Sequence, residues 1–248
     1  MFTWHLIGSG AGKVVCKAGE KIVRFNQKTD SAGWDLNICN GKVTGERTPF
    51  SLNGIEPVHG FAGLLKETAE KLKEELGTWP SSGLATLLTL VDAGLTVKLS
   101  GMTLLPSIAR PMGLGQRVPL ACAYHNWLGE RRVVLPMLSA LDWPSFWLPD
   151  EKSSGNASFN PYPLLTVLPD LDCAEGQKLI AELGQVPAEL WLEHAGLETI
   201  QKMERLFFLS RSEMRTPNWW LYDHFASHCM SRVLYRLAQA QQVCWLRA

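Results

Sequence analysis

Four groups of residues have the types and spacing to do chemistry. His125, in Tyr124-His125-Asn126-Trp127, precedes a helix pattern and stands five residues before Glu130. An imidazole titrates near neutrality, so a histidine in a polar loop suits general-base work; the plainer reading is a surface or structural histidine. Pro80-Ser81-Ser82-Gly83 opens an apolar helix pattern. Free backbone N–H groups, the positive end of the helix dipole and two hydroxyls suit a phosphate or carboxylate there, although a serine in this place reads equally as a simple N-cap. Gly8-Ser9-Gly10-Ala11-Gly12 follows a strand pattern. Only Gly8 and Gly10 fall in register with the dinucleotide fingerprint, and a Walker loop fails at Ile7 and Val14. A tight turn and a nucleotide loop both remain readings of it. His224 and His228 lie one helical turn apart, but their segment lacks the glutamate of a zinc protease and a third ligand, so no metal is expected.

The bulk composition narrows the classes. Lys+Arg and Asp+Glu each number 24, so the net charge is zero, and a protein built to coat nucleic acid is not expected. Hydrophobic residues make up 46%, and the length of 248 residues allows one large domain, or one with a sizeable appendage. No run has the roughly 18–20 apolar residues of a membrane span. The first residues read as a strand rather than a leader, and the six cysteines are scattered without a Cys-x-x-Cys pair. Free thiols and a cytosolic location are the expectation.

The elements that must position these groups are legible in part. Residues 2–7, 21–26, 35–40 and 95–99 read as strands. Phe61, Leu64, Leu65, Ala69, Leu72 and Leu76 recur at helical spacing before Gly77, a C-cap. Residues 84–91, apolar nearly all round, predict a buried helix, and helix flanked by strands is the sequence form of a βαβ unit with a parallel sheet. A helix is expected over 130–141, a loop and boundary over 150–163, and helices over 174–183, 187–195, 197–209 and 219–242. The reading is an α/β body, residues 1–150, with a helical C-terminal part, residues 151–248, packed on it. The Trp143, Phe146 and Trp147 cluster and Trp219-Trp220 read as packing. One apolar side of the last helix, including Phe225, Val233 and Leu234, is also a candidate for peripheral membrane contact, with Arg232 and Arg236 on a polar side.

Taken together, three segments resemble the sialyltransferases of glycosyltransferase family 29, and secondarily the bacterial ones of family 42. The large sialyl motif is similar to Leu6-Ile7-Gly8-Ser9 with Val23-Arg24-Phe25-Asn26. The small motif is similar to Pro80-Ser81-Ser82-Gly83 running through to Val97-Lys98-Leu99-Ser100-Gly101. The very small motif, His and Glu closely spaced, is similar to His125 and Glu130. The resemblance covers about residues 1–150. It implies a Rossmann-like parallel-sheet domain of the sialyltransferase type and a metal-independent, inverting transfer of a sialic acid from a CMP-sugar donor. The acceptor would be an oligosaccharide or lipid-linked glycan. It further implies that Gly8, Ser9 and Asn26 meet the nucleotide and that Ser81, Ser82 and Gly83 hold phosphate or sugar carboxylate. Gly101 to Thr103 would lie near the cytidine, Glu130 would be substrate-binding, and His125 would be the base. Ser9 replaces the family's asparagine, the loop from Ser9 to Asn26 is short, and the aromatic-rich third motif is absent. Two other classes stay open: an NAD(P)-binding oxidoreductase, which lacks an acid where Asn26 stands, and a non-catalytic binding protein that kept the fold.

Overall fold

The computed structural model describes residues 2–10, 14–28, 33–41, 49–115, 118–149, 159–209 and 218–248. Two compact units divide the chain: residues 1–103 with 136–147, and residues 104–135 with 148–248. The sequence reading had placed all of 1–150 in one body.

The first unit is α/β. Strands β1 (Thr3–Ile7), β2 (Glu20–Phe25), β3 (Leu36–Asn40), β4 (Phe50–Gly54) and β5 (Thr96–Ser100) form one sheet in the order β4-β3-β2-β1-β5. Neighbours are parallel except β3 and β4, which are antiparallel. Helices α1 (Phe61–Leu76) and α2 (Ser82–Asp92) lead from β4 to β5. This mostly parallel sheet agrees with the expected α/β class and is compatible with a Rossmann-like fold. The helix pair, however, starts from the antiparallel β4 and so is not the simple βαβ unit expected. Strand β4 itself went unread, because Phe-Ser-Leu-Asn-Gly is short and carries a turn-prone end.

One face of the sheet explains the apolar alternation. Trp4, Leu6, Val23, Leu36, Ile38, Val97 and Leu99 are buried, as are Phe61, Leu65, Ala69 and Leu72 of α1 and Leu84, Ala85, Leu87 and Leu90 of α2. Leu64, counted with the apolar stripe of α1, is exposed. Gly77 ends α1 in the left-handed region, its N–H reaching Lys73, as its place in the sequence predicts.

The opposite face is mixed: Ile7, Ile22 and Cys39 lie on it beside a set of polar residues. His5, Glu20, Arg24, Asn37, Lys98 and Ser100 share it by strand alternation and register. The connections from β1 to β2 and from β2 to β3 hold no helix among their described residues. Loop backbone lying on a sheet needs hydrogen-bond partners that a helix would supply internally. Lys98 donates to the Val15 carbonyl at 2.9 Å, and the Asn37 amide exchanges bonds with the backbone of Gln27 at 2.9 and 3.1 Å. Lys98 and Asn37 answer that need on this face.

The second unit is helical: α3 (Trp127–Val134), α4 (Tyr162–Val167), α5 (Cys173–Leu183), α6 (Ala188–Glu193), α7 (Leu197–Met203) and α8 (His224–Arg247). Its core gathers Ile108, Ala123 and Leu128 with Trp191, Trp220, Met230 and Leu237. Buried glutamines of α8 bind passing chain: Gln241 donates to the Leu128 carbonyl, and Gln242 pairs with both backbone groups of Leu148. Val233, Leu234, Trp220 and Leu221 lie inside this core. The apolar side considered for membrane contact is therefore packed within its own unit, leaving Phe225 exposed. No helix of the described residues is long and apolar enough to cross a membrane. Helix α3 gives way after Val134 to a 3₁₀ turn, Leu135–Ala140, because Pro136 cannot donate to a continuing helix. Most of the expected loop 150–163 lies outside the described residues.

Candidate functional site

In the first unit, two of the sequence's motif segments come together. Strands β2 and β3 lie to one side of β1 and β5 to the other, so chain order reverses between β1 and β5. In open α/β sheets the carboxyl end of the strands at such a point is where ligands bind. There the Gly8 N–H donates to the Ser100 carbonyl at 2.9 Å and the Gly10 N–H to the Gly101 carbonyl at 2.8 Å. A Cβ on Gly8 would stand 2.4 Å from the Gly101 oxygen, and one on Gly10 2.7 Å from it. Gly101 itself has a φ of 62°, which favours glycine. The glycines are thus required by backbone meeting backbone.

The start of α2 reaches the same place. Ser81 is its N-cap, with Oγ accepting from the Leu84 N–H at 3.2 Å. A Cβ on Gly83 would meet the Met102 side chain at 2.7 Å, and one on Gly8 would meet it at 2.5 Å. Met102, inside the stretch from Gly101 to Thr103 that the resemblance places near the cytidine, is buried between the two glycine motifs, a packing role the sequence did not suggest. Trp143 Nε1 and Ser145 Oγ both donate to its carbonyl, at 2.7 and 3.0 Å. The Asp142 carbonyl accepts from the Leu99 N–H, closing the outer edge of β5. Ser9 and Gly10 are exposed, while Ser82 and Thr103 are partly buried. Asn26 follows β2 at this end of the sheet with a φ of 53°; its Oδ1 accepts from the Asn40 N–H at 3.0 Å.

His125 and Glu130 belong to the second unit. Glu130 is fully buried in α3, and its Oε1 lies 3.9 Å from His125 Nδ1, too far for a hydrogen bond. The His125 and Trp127 rings are 5.1 Å apart, and Trp127 Nε1 donates to the Cys122 carbonyl. Asn126 holds this turn. Its Oδ1 caps α3 through the Gly129 N–H, and its Nδ2 donates to Glu204 Oε2 at 2.8 Å. Arg132 Nε donates to the other Glu204 oxygen at 2.8 Å. Gly129 is glycine because a Cβ there would lie 2.5 Å from the Asn126 amide. The one sequence signal for this network was an N-cap residue before α3; Glu204 sits too far along the chain to be paired with it by eye.

Among the described residues, His5, Cys16 and Glu20 form the one cluster with the donor set for a metal, their ligating atoms within 4.8 Å of one another. Glu20 is already engaged by Lys98 and by the Lys17 N–H, each at 2.9 Å. The two histidines of α8 have their Nδ1 atoms against the backbone carbonyls of Arg110 and His224.

No family model, curated protein or solved structure matches the chain.

The glycine geometry carries its own test. Because the atom facing Gly8 is a backbone oxygen of β5's exit, Gly8→Ala forces the two loops apart. It should cost about 1–3 kcal/mol, the usual range for overpacking. Urea unfolding with an unchanged midpoint would show that the two loops do not meet as described.

Proposed function

We propose that the chain is a metal-independent, inverting glycosyltransferase that moves a sialic acid, or a related sugar, from CMP to a glycan hydroxyl. The observation that supports this reading best is the meeting of the Gly8-Gly10 turn, Gly101 and the Ser81–Gly83 helix start at the carboxyl ends of β1 and β5. The segments that resemble the large and small sialyl motifs are neighbours in the fold. A helix start with hydroxyls beside a glycine turn offers N–H donors and a positive dipole to the CMP phosphate. In this reading His125 takes the proton of the acceptor hydroxyl, whose oxygen then bonds to the anomeric carbon. The bond from that carbon to the phosphate oxygen breaks, and CMP leaves with both electrons from the opposite face. Asn26, its carbonyl oxygen spent on Asn40, is left with its amide for the nucleotide.

Saturating CMP should raise the melting temperature. A ligand at a hundred times its dissociation constant adds about 2.7 kcal/mol, and in a domain of this size each kcal/mol is worth roughly 2–4 °C, so the rise should be about 5–10 °C. EDTA should leave the rise intact. Replacing Ser81 and Ser82 by alanine should shrink it, measured against each protein's own ligand-free midpoint, since the lost cap lowers that midpoint by itself. A rise with NAD(P) and none with CMP or CDP would replace this reading with the oxidoreductase one. The Met102 side chain between Gly8 and Gly83 favours a second reading, in which the glycines serve packing alone and the protein binds no nucleotide there. Silence with all nucleotides would select it.

A further inference from the structure

We propose that a groove along α8, within the second unit, binds a phosphate group carried on an apolar or aromatic body. The segment 105–109 runs beside the helix, tied to it by Ser231 Oγ, which bonds Ser107 Oγ at 3.2 Å and the Ile108 N–H at 3.3 Å. Between them lies an open groove of about 550 Å³, within the size range of small-molecule sites. Leu105, Pro106 and Tyr235 give it apolar and aromatic surface, Arg232 and Arg236 give it charge, and the His228 imidazole stands in line with them.

The three basic residues are spaced four apart, so they stand in a row on one helical face. No carboxylate lines the groove, although the chain as a whole carries as many acids as bases. Arg232 is exposed and makes no hydrogen bond or ion pair with a described residue. Arg236 is oriented by Gln239, to which it donates at 3.2 Å. His228 turns Nδ1 to the His224 carbonyl at 2.7 Å, which leaves Nε2 to face outward. Like charges one turn apart repel, and the helix dipole offers nothing to cations this far from its C-terminus. An anion seated across the row would relieve that repulsion. Guanidinium forks match phosphate oxygens in geometry, and a concave wall concentrates the field. The apolar strip of Leu105, Pro106 and Tyr235 selects a phosphate that carries carbon over a bare one.

The site is independent of the CMP reading, and because CMP also bears a phosphate the test must separate the two. Calorimetry on the full chain, with phenyl phosphate and inorganic phosphate as probes, should show tighter binding of phenyl phosphate, weakened by sodium chloride. Arg232→Ala should weaken it by about 10–100-fold, the usual worth of a charge-assisted hydrogen bond, while its melting temperature and its response to CMP stay as in wild type. The Ser81 and Ser82 alanine variant should bind phenyl phosphate normally. Unchanged affinity in Arg232→Ala, or no binding of phenyl phosphate, overturns the proposal. So does binding to phosphatidic acid vesicles in its absence, which would make the row a membrane contact.

Discussion

His125→Ala should lower sugar transfer by about 10²–10⁴-fold, the usual contribution of a positioned general base, and leave the CMP-induced rise in melting temperature unchanged. The expectation rests on where the residue sits. His125 is partly exposed at the mouth of α3, and the fully buried carboxylate of Glu130 stands behind it at 3.9 Å. A small closing movement would bring the two into hydrogen-bond range, as catalytic pairs often tighten only with substrate present. Asn126 and Glu204 hold the turn from the other side. Initial-rate assays with CMP-sialic acid and a panel of glycans would measure the loss. Turnover near wild type would remove His125 from the mechanism, and loss of the CMP response as well would mean that the variant had misfolded.

The second large effect concerns stability. Glu20→Gln should cost about 1.5–3 kcal/mol, the range for hydrogen bonds to a charged group, and flatten the acid limb of the unfolding curve. Glu20 binds Lys98 through one oxygen and His5 through the other, and His5 in turn bonds Ser100 Oγ at 2.8 Å. Burial alone would raise the Glu20 carboxyl, but the Lys17 N–H, Lys98 and His5 outweigh it and hold it at about 2, against an ordinary 4.5. Burial lowers the His5 imidazole, and the hydrogen bond it donates to Glu20 recovers only part of that. Both groups therefore bind protons more readily when unfolded. Glu20 stabilises fully above its unfolded pKa, and this is lost as pH falls from about 4.5 toward 2; His5 adds the same sign below 6.5. Melting temperatures from pH 7 to pH 3 should fall more gently in Glu20→Gln than in wild type. Parallel curves would show that the carboxylate is not the group responsible.

The parts of the fold that sequence could show were those whose causes are local. Strands β1, β2, β3 and β5 and helices α1 and α2 follow from alternation, helical spacing and caps that lie within a few residues of one another. Helix α4 went unread because Pro161 and Pro163 read as loop, whereas a proline in the first turn is well placed to begin a helix. The division of the chain was harder. Ile108, Ala123 and Leu128 find their apolar partners on helices far along the sequence, and nothing near them says so. At the candidate site the same line holds. A glycine turn at position 8 was legible and Gly101 entered through the resemblance, but not that each faces the other's backbone, nor that Met102 fills the space beside them. The polar groups on the other face of the sheet were likewise hidden, since Lys98 and Asn37 find partners in loop backbone, and His5, Glu20, Lys98 and Ser100 find one another across strands.

The chain passes from one unit to the other three times, after residues 103, 135 and 147. During synthesis the first unit therefore cannot finish when its fifth strand has emerged. The covering segment that holds the Leu99 N–H and the Met102 carbonyl arrives only after a stretch that belongs elsewhere. At about 5–20 residues added per second, that interval lasts seconds, with Ile108, Ala123 and Leu128 made but their helical partners still unmade. A nascent chain of this kind needs shelter while it waits, and no single cut divides it into two pieces that each keep all their parts.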